Sequence, residues 1–62
     1  NEKDENIILS LPEKERVAFI LHDIEQYTYE EISDFIHDLS IDEIKKIVRQ
    51  TRNGIISTDN YV

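Results

Sequence analysis

The last third of the chain carries the side chains whose types and spacing could do chemistry. Four basic residues fall within eight positions, with amide and carboxylate side chains among them. Ammonium and guanidinium groups bind phosphates, Asn and Gln can pair with adenine, and a carboxylate can accept a hydrogen bond from the amino group of cytosine. Such groups on one helix face are typical of duplex DNA reading. The candidates are Asp42, Glu43, Lys45, Lys46, Arg49, Gln50, Arg52 and Asn53.

A helix is the element that would place these residues together. With Ile41, Ile44, Val48 and Ile55 turned inward at about 100° per residue, the candidate residues lie on or beside the outward face. Ile47 falls at the edge of the buried stripe. It either packs against the preceding helix or extends an exposed apolar strip that a partner protein could cover.

Three sequences predict helix starts. Thr28 with Glu31, and Ser40 with Glu43, have the spacing of a capping box, in which a hydroxyl and a carboxylate satisfy two backbone N–H groups reciprocally. Ser10 and Pro12 predict a further start at residues 11–13, because an early proline has no N–H to leave unpaired.

Apolar residues between these starts keep helical spacing, so each helix has a face to bury. Residues 6–9 are expected to end a further short helix, and Gly54 is expected to end the last one. One glycine and one proline in 62 residues also favour helix. We therefore predict an all-α fold, a three- to four-helix bundle with a helix-turn-helix, like the winged-helix three-helical DNA-binding class without a wing. The expected inward residues are Val17, Ile20, Leu21, Ile24, Ile32, Phe35 and Ile36.

Composition excludes several classes of function. The chain has no cysteine and two histidines, His22 and His37, which we expect at the surface. A disulfide framework, a zinc knuckle and a Cys/His nucleophile pair are therefore excluded, and we predict no catalytic residue, no metal and no cofactor. No apolar run reaches the length of a membrane span, and the acidic first residues are unlike a signal peptide. A cytoplasmic protein without enzyme activity is expected.

The stretches that carry the helix starts resemble a known family. They read LPEKERVAFILHDIEQYTYEEISDFI and SIDEIKKIVRQTR. Together they are similar to the C-terminal promoter-reading domain of bacterial RNA polymerase sigma factors, of the extracytoplasmic-function type. Because the chain starts at Asn1, we expect residues 1–62 to be one such domain taken from a longer protein, with residues 56–62 as a tail.

The resemblance implies a function and partners. In the family, the last helix of the helix-turn-helix enters the major groove of the upstream promoter element, and the domain contacts RNA polymerase core and anti-sigma proteins. It would be a monomer in isolation, with no membrane role. The likeness is poorer towards the last helix, where His37 and Asp38 replace the family's single glycine, and Asp42 and Glu43 replace a small residue and a threonine.

Two hypotheses of different classes follow. The first is a promoter-recognition module whose basic residues hold phosphates while the polar residues select bases. The second is a degenerate acidic helix-turn-helix that acts as a protein-interaction module in transcription, since the net charge is −7 and residues 1–39 carry eleven acids against three bases. A plainer interpretation of the same residues is that Asp42 and Glu43 only oppose the helix dipole and close a capping box, and that the four bases form a solvated face.

Overall fold

The computed structural model describes residues 2–59, and the side chains of residues 5–56. Four helices occur in this range: α1 (Glu2–Leu9), α2 (Glu13–Asp23), α3 (Tyr29–Phe35) and α4 (Ile41–Asp59). No strand occurs between residues 2 and 59, so the predicted all-α class is confirmed. None of these helices has the length and apolarity needed to cross a lipid bilayer.

Both predicted capping boxes are formed. The Glu31 amide donates to Thr28 Oγ1 over 3.1 Å, and the Thr28 amide donates to Glu31 Oε1 over 2.9 Å. At α4, the Glu43 amide donates to Ser40 Oγ over 3.2 Å, and the Ser40 amide donates to Glu43 Oε1 over 3.0 Å. These bonds satisfy backbone donors that a helix start would otherwise leave unpaired.

The start of α2 is reached differently. The helix begins at Glu13 after Pro12, inside the predicted range of residues 11–13, but no side chain caps it. The Ser10 hydroxyl donates instead to the Ile7 carbonyl over 2.7 Å. Ser10 therefore closes the end of α1, where carbonyl groups lack intrahelical partners.

A small apolar core joins α4 to the helices before it. Ala18 of α2, Ile32 of α3, and Ile44 and Val48 of α4 are fully or almost fully buried. Helix α4 packs against α1, α2 and α3, so the other helices share it as a common partner. Ile47 is 9% exposed. Of the two placements expected for it, the structure shows packing.

The buried face of α2 differs from the predicted one. Ala18 and Phe19 are buried, whereas Val17 and Ile24 are exposed. Leu21, which was also expected inward, does pack against the core. The spacing of the larger apolar residues turned the rest of the buried face away from Ala18, but α4 lies against the side that carries this small residue, where two helices can approach closely. Phe35 is also 60% exposed, which corrects its expected place in the core. Its ring meets the Tyr27 ring edge-on, with 5.5 Å between centroids.

The turn between α3 and α4 needs no glycine. Among the described residues 2–59, Gln26 is the one non-glycine residue with a positive φ, and it lies in the α2–α3 connection. Residues 36–40 therefore contain no left-handed backbone. The Ser33 hydroxyl donates to the Leu39 carbonyl over 3.1 Å. Lys14 of α2 also forms an ion pair with Asp38 of the turn. These contacts explain how the turn can hold His37 and Asp38 where the resemblance implies a single glycine.

Gly54 does not end a helix, so the stop predicted there was wrong. Helix α4 continues through Gly54 to Asp59, and residues 56–59 of the predicted tail are helical. Residues 60–62 lie outside the described part of the chain. Gly54 keeps a negative φ, and its open side faces Ile7 of α1. Packing of α1 against α4 offsets the low helix propensity of glycine.

We predict that Gly54→Ala stabilises the domain by up to about 1 kcal/mol, the helix-propensity difference between the two residues. A methyl group at this position would lie 3.9 Å from Ile7 Cγ2, an ordinary van der Waals distance. Urea unfolding of both proteins measures the difference. Gly54→Val is the control, because its larger, β-branched side chain should gain nothing. A less stable Gly54→Ala would contradict the close but unstrained packing of α1 on α4.

Candidate nucleic-acid interface

All eight candidate residues of α4 have exposed side chains. Ile44, Ile47, Val48 and Thr51 fix the buried face of the helix. At about 100° per residue, Asp42, Lys46, Arg49 and Asn53 then point most directly outward. The capping box at Ser40 fixes where the helix begins, while the buried stripe determines which residues face outward. The remaining candidates lie on its two flanks: Lys45 and Arg52 on one, and Glu43 and Gln50 on the other.

One flank of α4 forms a groove rich in positive charge, which we call the cationic groove. It has a volume of about 420 Å³. Four of the candidate residues line it, with Tyr29 at the start of α3 opposite them. Three of those four are cations, so an anion in this groove would meet converging positive charge. The lining residues are Tyr29, Lys45, Val48, Arg49, Arg52, Asn53 and Ile56.

Arg52 is held in place by Asp23 of α2. Arg52 Nε donates to Asp23 Oδ2 over 2.9 Å, and Nη2 donates to Oδ1 over 2.6 Å. This bidentate geometry is the strong form of an ion pair. The pKa of Arg52 is raised, first by the hydrogen bond to Asp23 and to a smaller extent by the charges of Asp23 and Tyr29, against the effect of desolvation. Arg52 therefore remains a cation.

Tyr29 connects α2 and α3 to the cationic groove. Its ring stacks on His22 with 4.2 Å between centroids, and Lys45 Nζ lies 5.6 Å from the Tyr29 centroid. A cation at that distance is attracted to the ring face. His22 is half-buried rather than a plain surface residue, and its Nδ1 lies 2.9 Å from the Tyr27 carbonyl, which accepts the hydrogen bond. His37 is exposed as expected.

The other flank of α4 forms a second groove of mixed charge, which we call the mixed groove. Its volume is about 270 Å³. Two carboxylates stand there with one lysine and one glutamine, so it offers hydrogen-bond acceptors and donors together. An anion would meet less attraction here than in the cationic groove. The lining residues are Glu15, Leu39, Glu43, Lys46, Ile47 and Gln50.

Glu43 has a structural role at this flank. Hydrogen bonding by the Ser40 backbone amide and, to a smaller extent, by the Ser40 hydroxyl lowers the pKa of the Glu43 carboxyl group. The carboxylate is thus directed back towards the helix start. This arrangement supports the capping interpretation for Glu43, while contact of Glu43 or Asp42 with a base stays a prediction.

Sequence reasoning missed Asp23 and Tyr29 as parts of this site. Asp23 lies 29 positions before Arg52, so no local spacing connects them. Tyr29 directly follows the cap residue Thr28, and nothing in its local spacing connects it with α4. Both residues could have been identified from their positions, because Asp23 ends α2, Tyr29 begins α3, and both helices precede a helix rich in cations.

Comparison with protein families gives a match to Sigma-70, region 4, over residues 5–37. The matched segment is more than half of the chain. This chain belongs to the sigma-70 region 4 family. It is therefore a transcription-initiation domain with a promoter-recognition, DNA-binding role, and its helix-turn-helix bundle is the region 4 fold. Neither a curated protein nor a solved structure matches the chain.

The sigma-70 region 4 match ends at His37, before α4. The scaffold of α1 to α3 is thus recognised as region 4, whereas the helix with the candidate DNA contacts lies beyond the matched residues. The match concerns region 4 as a whole, so the extracytoplasmic-function type stays a prediction.

We predict that acid weakens the domain partly through Glu43 and Asp38. The pKa of Asp38 is lowered, chiefly by the hydrogen bond from Lys14 and then by its charge. For a carboxyl group with a depressed folded-state pKa, the stabilisation is present above the unfolded-state pKa of about 4 and is lost as pH falls through the folded-state pKa. The free energy of unfolding should therefore fall from about pH 5 downwards.

Glu43→Gln tests this assignment, because glutamine keeps a cap acceptor without titrating. Urea unfolding at pH 7 and pH 3 should show wild type more stable than Glu43→Gln at pH 7 and a smaller gap at pH 3. An equal gap at both pH values would exclude Glu43 as a source of the acid dependence.

Proposed function

We propose that α4 recognises the upstream promoter element, with its outward face in the major groove and the cationic groove against the backbone of one strand. The observation that carries this proposal is the exposure of all eight candidate residues on a helix whose opposite face is buried. Arg49 and Asn53 lie on the outward face and also line the cationic groove. They can therefore contact base edges or the adjacent phosphates.

The overall charge of −7 opposes binding to DNA. The acids, however, are concentrated in residues 1–39, and the bases of residues 40–62 are all on α4. Contact with DNA through α4 turns much of the acidic surface away from the phosphates. Attachment to polymerase would raise the local concentration of promoter DNA, so a weak contact by the domain is sufficient.

Arg49→Ala tests this proposal. The variant should bind duplex DNA more weakly, and the slope of log affinity against log salt should fall in magnitude by about 0.9 if Arg49 neutralises one phosphate. Fluorescence anisotropy of a labelled promoter duplex over a series of salt concentrations measures both quantities. Low salt is the starting point because the isolated domain is acidic.

Arg16→Ala is the matched control, since it removes the same charge from α2. Its salt slope should stay that of the wild type. Equal affinity of wild type and Arg49→Ala for the promoter duplex would contradict the proposal. An equal effect of both substitutions would show that only net charge matters.

A second surface supports docking on RNA polymerase core. Val17 of α2 and Ile24, the residue that caps the C-terminal end of α2, are seven positions apart and therefore share one side, away from the buried Ala18 and Phe19. They are 38% and 61% exposed. An apolar strip beside acidic residues such as Glu13 is typical of a protein interface. We propose that polymerase core covers this strip through a surface that is apolar with a basic rim, and that an anti-sigma protein would compete for it.

The same strip favours the alternative function, a protein-interaction module that does not read DNA. The apolar edge expected at Ile47 is buried, so this function would use α2 instead. The two functions differ in what α4 does. Under the alternative, loss of Arg49 leaves DNA binding unchanged and loss of Ile24 removes the main activity.

We predict that Ile24→Asn weakens binding to bacterial core RNA polymerase about tenfold or more, since burial of an isoleucine side chain contributes about 1.5–3 kcal/mol. Pull-down with core enzyme and biolayer interferometry measure the change. Ile56→Asn is the matched control, because Ile56 is similarly exposed, at 56% against 61%, but lies on α4. Equal losses for both variants, or none for Ile24→Asn, would show that polymerase does not bind the α2 strip.

A further inference from the structure

We propose that Asp23 positions Arg52 so that its unpaired edge and Lys45 together bind one DNA phosphate in the cationic groove. This inference rests on the proposed function. It assigns a role to an acidic residue of α2 that, by charge alone, would repel DNA. The juxtaposition that carries it is the bidentate Arg52–Asp23 pair and the Lys45–Tyr29 contact, whose residues Arg52, Lys45 and Tyr29 line the same cationic groove.

The geometry of the pair leaves part of the guanidinium group available. Asp23 accepts from Nε and Nη2, and within the described residues Nη1 has no partner. A guanidinium group has five N–H donors, so the Nη1 side can bind a phosphate oxygen while the other side stays on Asp23. The side chain of Arg52 is 51% exposed and that of Asp23 is 19% exposed. The acid thus lies behind the cation, and the cation faces solvent.

Lys45 is restrained in a similar way. Its ammonium group lies over the Tyr29 ring, which is itself stacked on His22. Both cations are therefore held by groups of α2 and α3 before any ligand arrives. Ordering a long side chain opposes binding, so a side chain that is already ordered binds more tightly.

The direction in which one substitution changes DNA affinity distinguishes positioning by Asp23 from simple electrostatics. Asp23→Asn removes a negative charge close to the DNA surface, so electrostatics alone predicts tighter binding. Positioning predicts binding weaker by about two- to tenfold, because Arg52 must then be ordered by the phosphate itself. Glu25→Gln is the matched control, since it neutralises an exposed acid two positions away, and it should leave affinity unchanged or slightly improved.

Arg52→Lys gives an independent test that leaves Asp23 in place. Lysine keeps the charge but cannot form the bidentate pair with one side and hold a phosphate with the other. We expect its DNA affinity to fall by a similar factor. In an Arg52→Ala background, Asp23→Asn should no longer weaken binding, because the residue that Asp23 positions is absent.

The experiment is a set of anisotropy titrations of the 62-residue chain and these variants with one duplex at one low salt concentration. Circular dichroism confirms that each variant has the helical content of the wild type. Tighter binding by Asp23→Asn would overturn the inference and make Asp23 a competitor of phosphate. Equal weakening by Asp23→Asn with and without Arg52 would also overturn it, since Asp23 would then act through the fold.

The result for Arg49→Ala separates this inference from the function on which it rests. If Arg49→Ala binds DNA as tightly as wild type, the proposed function fails and the inference fails with it. If Arg49→Ala binds DNA more weakly than wild type and Asp23→Asn does not, α4 binds DNA without positioning by Asp23.

Discussion

Burial of one stripe of α4 is the constraint on which the rest of the structure depends. Ile44 and Val48 pack against Ala18 and Ile32, and the core they form is small. A chain of this length buries only about 60% of the surface that it exposes when unfolded, so few contacts maintain the fold. Because α1, α2 and α3 all contact α4, the stripe that stabilises the domain also determines which residues of α4 face solvent.

The exposed side of α4 is chemically asymmetric as a result. Lys45 and Arg52 fall on the flank where α2 and α3 supply Asp23 and Tyr29, whereas Glu43 falls on the flank beside Glu15. The fold thus concentrates cations along one edge of the helix and mixes charge along the other. An acidic protein can in this way present a local positive surface without changing its net charge.

The parts of the fold that depend on local sequence were predictable, and those that depend on contacts between distant residues were not. The capping boxes at Thr28 and Ser40 span four residues each, so sequence alone identified them. The buried face of α2 depends on where α4 lies, and counting apolar residues selected the exposed Val17 and Ile24 instead. Gly54 resembles a helix stop until its contact with Ile7 is known.

The candidate site shows the same division. The eight residues of α4 could be named because helical periodicity turns them to one side. The partners Asp23 and Tyr29 come from other helices and carry no local signal. The resemblance to sigma factors was confirmed for the scaffold, where the matched residues lie, and gave less information on α4, beyond the end of the match at His37.

The turn between α3 and α4 has a mechanical consequence. A connection without glycine lacks the residue whose backbone changes conformation most freely, and it is further restrained by the Ser33 hydrogen bond and the Lys14–Asp38 ion pair. The angle between α3 and α4 therefore changes little. When this domain meets duplexes of different groove width or curvature, adjustment falls to long side chains and to the DNA itself, not to a hinge between the helices.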